Sequence, residues 1–189
     1  MKSRPGALLL LAAVSLLVFA VAACNDDDDE DGDGSTATAT AAANEELTLY
    51  FNDLAAIQGE LSEGTGIIAD QSEGALGGDP AQARQTLNAL QDAGQAALAD
   101  LDELEPPSEA ADAHAALAAA GEAYLAAIDG LANELQNVQA GAEYDEFLAG
   151  TEDPESEYQQ AKADLQAACE DMQTVVDDSG VDVALECPV

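Results

Sequence analysis

Apolar residues recur along this chain at alternating spacings of three and four, the period that gathers them on one face of an α-helix. The first series is Leu47, Tyr50, Leu54, Ile57, Leu61, Gly64 and Ile68; the second is Leu87, Leu90, Gly94, Ala97, Leu101 and Leu104. A third runs Ala110, His114, Leu117, Gly121, Tyr124, Ile128, Leu131, Leu135 and Val138, and a fourth Tyr158, Ala161, Leu165, Ala168, Met172 and Val175. No Asp or Glu stands on any of these stripes, although acids crowd the positions between them: Asp53 and Glu60, Asp100 and Asp102, Glu122 and Asp129, Asp164 and Glu170. A chain rich in Ala and Leu produces weak apolar stripes by chance, but chance does not clear the acids from all four.

The breaker residues agree. Asp79-Pro80 and Asp153-Pro154 each set a capping carboxylate before a proline at the first helical position, where the missing N–H costs nothing. Pro106-Pro107 stops the second helix, Ser108 offers a cap for the third, and Ser179-Gly180 suits the end of the fourth. The pattern predicts helices over 45–76, 80–104, 109–140 and 154–178, with a kink or break near 62–66 because Gly59, Gly64, Gly66 and Gly74 weaken the first. Short connections between consecutive helices imply antiparallel neighbours, so residues 44–189 read as an all-α, up-and-down four-helix bundle. That topology places His114 near Tyr50 and Leu101, as a hydrogen-bonded boundary histidine or as a functional group. The longer third connection, 141–153, carries Phe147 and Leu148, expected to tuck against one end of the bundle.

Upstream of the stripes the pattern changes. Lys2 and Arg4 precede an uncharged apolar run from Ala7 to Ala23, and Asn25 opens the acidic stretch Asn25-Asp26-Asp27-Asp28-Asp29-Glu30-Asp31-Gly32-Asp33-Gly34. A basic start, an apolar run and small residues at its end make a signal peptide. The run is at the lower limit of the roughly 17–25 residues of a membrane-spanning helix, so a permanent transmembrane anchor is the stretched alternative. Its end, Val21-Ala22-Ala23-Cys24, resembles the lipobox of bacterial lipoproteins. That resemblance covers only residues 1–24, and it implies lipid transfer to the Cys24 sulfur and cleavage before it, with an ordinary secretory signal as the alternative. Residues 24–43 then read as a disordered tether, because neither the acids nor the Ser, Thr and Ala of Ser35 to Ala43 can offset the entropy of ordering. Asp27-x-Asp29-x-Asp31-Gly32 copies the front of a calcium loop, but Thr38 stands where a bidentate Glu is needed, so a spacer or a weak cation condenser is expected.

Charge narrows the choice of partner. The whole chain carries 39 Asp and Glu against four Lys and Arg, a formal net charge of −35, and removal of a signal would leave only Arg84 and Lys162. Such a surface repels nucleic acid and anionic lipid. Two readings stand: general solubility or adaptation to high salt, and a basic or cationic envelope partner whose binding weakens with salt. Beyond Cys24 the cysteines are Cys169 and Cys187, and an extracytoplasmic compartment permits them to pair.

Candidate chemistry is sparse. The residue three before the single histidine, His114, is Ala111, so the Glu-x-x-His pair of a di-metal bundle is absent; Cys-x-x-Cys-His, Gly-x-Ser-x-Gly and phosphate-loop motifs are absent too. Catalytic and metal residues are therefore read as none, and no cofactor is expected. The segment Leu104-Glu105-Pro106-Pro107-Ser108-Glu109, followed by His114, Leu117 and Tyr124, is similar to a pattern in small helical lipoproteins of high-GC bacteria with unassigned functions. It spans two helices at most and implies a fold without an activity. The expectation is a non-enzymatic, membrane-tethered binding or interaction module on the extracytoplasmic side of the cell envelope. The alternative is a carrier of a small ligand or metal cation.

Overall fold

The computed structural model describes residues 34–72, 79–185 and 187, with side chains described for 44–65, 79–185 and 187. The expected signal, the lipobox with Cys24, the acidic run and the tail end of the first predicted helix beyond Ser72 lie outside the described residues. Among the described residues the protein is all-helical: α1 (Gly34–Ser72), α2 (Pro80–Asp102), α3 (Ala111–Glu134), α4 (Ala142–Thr151) and α5 (Glu157–Ser179), with no strand. Packing follows chain order, α1 on α2, α2 on α3 and α3 on α5, while α1 and α5 approach each other only sparsely.

The stripes point where their spacing says. None of the described stripe residues is exposed, and all eight acids named between them are. The main core joins Leu47, Tyr50, Phe51 and Leu54 of α1 to Leu101, Leu117, Ala168, Cys169, Met172 and Val176. Phe51, Met172 and Val176 are fully buried. Between α2 and α3 two glycines let the backbones come close. A Cβ at Gly94 would lie 2.5 Å from Leu125 Cδ2, and one at Gly121 would lie 2.8 Å from Leu98 Cδ2. Each leucine thus fills the gap left by a glycine of the facing helix, four residues from a glycine of its own. The helix α3 is the one described helix long and apolar enough to cross a membrane by length and composition. Here it contributes Leu117, Gly121 and Ile128 to the interior.

Several boundaries differ from expectation for local reasons. Residues 34–43, read as tether, form the first turns of α1; alanine, the best helix former, recurs there. The break near 62–66 does not occur, because packing of α1 along α2 outweighs a glycine cost of up to about 1 kcal/mol each. The predicted helix 109–140 stops at Glu134 and the chain turns through Gly141, whose φ of 96° lies in the left-handed region that glycine tolerates best. It resumes as α4 with Glu143 and Asp145 in the first turn, where carboxylates favour a helix start. Ser108 does not cap α3; its hydroxyl donates to Glu109 Oε2 at 2.9 Å, and the N-cap is Ala110. Asp153 accepts from Glu155 N in the preceding turn, while Ser156 caps α5 by accepting from Gln159 N. Asp79 caps α2 as expected, accepting from Ala81 N at 2.9 Å, and Gly180 ends α5 at φ 71°.

The helix α4 carries a second, smaller core at the far end of α2 and α3. Tyr144 packs with Ala83 and Leu135, flanked by Leu87, Val138, Phe147 and Leu148. Its ring stacks on that of Phe147, with centroids 6.2 Å apart. Phe147 and Leu148 thus pack against a core as expected, but from a helix rather than a loop.

After Gly180 the chain continues in an extended, non-helical run. Val181, Val183, Leu185 and Cys187 alternate with exposed Asp182 and Ala184, and the four apolar members pack on the main core. That period of two is the spacing of an extended chain with one buried face. Gln173 of α5 anchors it: its Oε1 accepts from Leu185 N at 2.7 Å and its Nε2 donates to Val183 O at 3.5 Å. The disulfide between Cys187 and Cys169, with Cα atoms 5.5 Å apart, ties the run to α5 as expected. Closing a loop of 18 residues stabilises by about 3 kcal/mol in the chain-entropy model.

Candidate functional site

The sparse approach of α1 to α5 has a counterpart in the interior. A cavity of about 410 Å³ opens between α1, α2, α3 and α5, within the size range of small-molecule sites. Its floor is made by buried Leu54, Leu101, Leu117, Gly121, Ile128 and Cys169, and its walls by half-buried residues that include Leu61, Leu90, Leu98, Leu125 and Leu165. Cys187 of the C-terminal run closes part of one side. Gly94 and Gly121 do not themselves leave this space, because Leu125 and Leu98 cover them; Ala97, on the inward stripe of α2, lines the cavity with a single methyl group.

Among the described lining residues polar groups are few and uncharged. Gln58, Ser62 and Thr65 stand at helical spacing on one face of α1, and among the described lining residues Ser62 is the one exposed, so this face is the lip of the cleft. Gln58 Nε2 donates to Cys169 Sγ at 3.6 Å, and Thr65 Oγ1 donates to Leu61 O at 2.8 Å. On the opposite wall the Tyr124 hydroxyl lies 3.4 Å from that of Tyr158. Burial, reinforced by this hydrogen bond, pushes the Tyr124 phenol far above its ordinary range and keeps it protonated. In a chain of net charge −35, none of the described lining residues is Asp, Glu, Lys or Arg.

The histidine expected near Tyr50 is there. Tyr50 Oη lies 2.9 Å from His114 Nδ1, and donates to it in the tautomer whose proton sits on Nε2. Burial pushes the Tyr50 phenol up to about 12. Burial also lowers His114 from its ordinary value, opposed by the charge of Asp102. At neutral pH the pair is a neutral donor and acceptor. Among the described residues no three or more His, Cys, Asp or Glu side chains come together as metal ligands. The disulfide residues Cys169 and Cys187 both line the cleft, which no sequence motif indicated.

Comparison with protein-family models, characterised proteins and solved structures finds no match for this chain. The geometry of the cleft and the charge around it are therefore the observations that bear on function.

Proposed function

We propose that this chain is a non-enzymatic, lipid-anchored binding module of the cell envelope, tethered through Cys24. Its helices form an up-and-down four-helix bundle, elaborated by α4, whose interior takes a small apolar molecule. One observation carries the reading: a leucine-lined cleft of about 410 Å³, with no charged side chain among its described lining residues, inside an otherwise acidic chain. A well-formed apolar pocket with a few polar groups is the usual shape of a small-molecule site. Of the carriers foreseen from sequence, the small-ligand carrier gains from this geometry, and the metal carrier gains nothing from the described residues.

Photolabelling tests the proposal. The full chain in phosphatidylcholine nanodiscs is irradiated with a long-chain alcohol bearing an alkyl diazirine, and the adducts are mapped by peptide mass spectrometry. Adducts are expected on Leu61, Leu90, Leu98, Leu125 and Leu165. Labelling spread over outward-facing positions, or none beyond the level of an unfolded control, would sink the reading.

The acidity favours a second contact, with a basic or cationic envelope partner. Pull-down from native membranes with salt-graded elution checks this, and retention insensitive to salt contradicts it.

A further inference from the structure

One covalent cross-link is part of the cleft. Cys169 of α5 and Cys187 both line it, and Cys187 is the one described lining residue that no helix supplies. The bond stands at the weak seam of the bundle: α5 approaches α1 only sparsely, and here Gln58 Nε2 of α1 donates to Cys169 Sγ at 3.6 Å. The two cysteines are held differently. Cys169 is 1% exposed within α5, whereas Cys187 is half-buried in the extended run. Upstream, the run keeps its own attachments, with Val181, Val183 and Leu185 on the main core and Gln173 Oε1 accepting from Leu185 N. Among the described residues the hydrogen bonds from α5 to the run stop there, so the disulfide is the tie that keeps Cys187 in the cleft wall.

We infer that the Cys169–Cys187 bond is a redox latch on the cleft, closed as the disulfide and opened by a low-molecular-weight thiol. The inference rests on the apolar-cleft reading proposed above. The small thiolate attacks Cys187 Sγ, on the more accessible of the two residues, forming a mixed disulfide and expelling Cys169 as a thiolate that takes up a proton. A second thiolate attacks the outer sulfur of the mixed disulfide and expels the Cys187 thiolate, which is protonated in turn. One protein disulfide and two small thiols thus give two protein thiols and one small disulfide. The reduced chain has lost its tie beyond Leu185, so Cys187 leaves the wall while the helices and the upstream run stay packed. A ligand held by the closed wall binds the oxidised chain more tightly, and by linkage it stabilises the disulfide by the same factor.

The test uses the full chain in phosphatidylcholine nanodiscs, with the long-chain diazirine alcohol as ligand and a graded series of reduced to oxidised dithiothreitol. Alkylation of Cys169 and Cys187, mapped by peptide mass spectrometry, gives the fraction reduced. Reduction is expected to raise the alcohol concentration needed to label Leu61, Leu90 and Leu125 by on the order of tenfold, with helical circular dichroism retained. Saturating alcohol, kept dark, is expected to raise the ratio of reduced to oxidised dithiothreitol at half-reduction by about the same factor. Cys187→Ala is expected to label like the reduced chain whether or not dithiothreitol is present. Labelling indifferent to reduction, a half-reduction point unmoved by the alcohol, or loss of helicity on reduction would overturn the latch while leaving the cleft of the oxidised chain as a binding site. Absence of cleft labelling in the oxidised chain would overturn the underlying reading instead.

Discussion

The two ends of the same apolar stripes behave differently. Where Leu47, Tyr50 and Leu54 of α1 meet Leu101, Met172 and Val176, together with Phe51, the interior is closed and side chains are at most a few per cent exposed. One or two turns further along α1, Ile57 and Leu61 continue the stripe at the same spacing, yet they are only half-buried and a cavity lies beside them. The facing residues differ: aromatics and large aliphatics at the closed end, and at the cleft the single methyl of Ala97, with Leu98 and Leu125 taken up in covering Gly121 and Gly94. Periodicity decides which way a side chain points, and volume decides whether the space it points into is filled.

The largest expected effect tests that contrast. Phe51→Ala removes a fully buried ring from the closed end and is expected to cost about 3–5 kcal/mol, read as a lowered melting temperature by circular dichroism. Leu61→Ala, on the same helix but beside existing empty space, is expected to cost less than about 2 kcal/mol. Equal losses would mean that the two ends are packed alike.

A smaller effect of opposite sign is expected in the second core. The hydroxyl of Tyr144 is buried without a hydrogen-bond partner, and burial together with Asp79 raises its pKa. Leaving such a group unpaired costs about 1–3 kcal/mol, so Tyr144→Phe is expected to stabilise the fold by about 1 kcal/mol. A lower melting temperature for the variant would contradict that account of Tyr144.

The smallest effect belongs to the polar pair at the closed end. His114 has a folded-state pKa below its unfolded value of 6.5, so the folded state favours the neutral ring. Its contribution is present above the unfolded value and is lost as pH falls through the folded one. Relative to His114→Asn, the wild-type chain is therefore expected to lose melting temperature on acidification below pH 6.5. A difference between the two proteins that does not change with pH contradicts the shift.

Much of the fold was legible in the residues. The four stripes, their freedom from acids, the cap at Asp79, the helix end at Gly180, the proximity of His114 to Tyr50 and the Cys169–Cys187 bond are all readable in the sequence. What escaped had specific causes. The helix α4 was hidden because the third stripe keeps its period through Leu135 and Val138, while Gly141 breaks the backbone. The alternation of Val181, Val183, Leu185 and Cys187 is a strand-like signal in a chain whose described elements are all helices, and it marks a run packed on α5 through Gln173. The cleft was not legible at all. Ala and Gly on a stripe announce close helix approach as readily as empty space, and both occur here: Gly94 and Gly121 lie beneath facing leucines and also line the cavity.

Ala97→Phe tests the cleft most directly, because Ala97 is half-buried in its wall and a benzyl group there occupies the space without disturbing the closed end. Filling the cavity is expected to raise the melting temperature of the full chain, by about 0.5–2 kcal/mol of added stability, and to abolish diazirine labelling of Leu61, Leu90 and Leu125. A folded variant that labels these leucines as strongly as the wild-type chain would contradict a ligand site between α1, α2, α3 and α5.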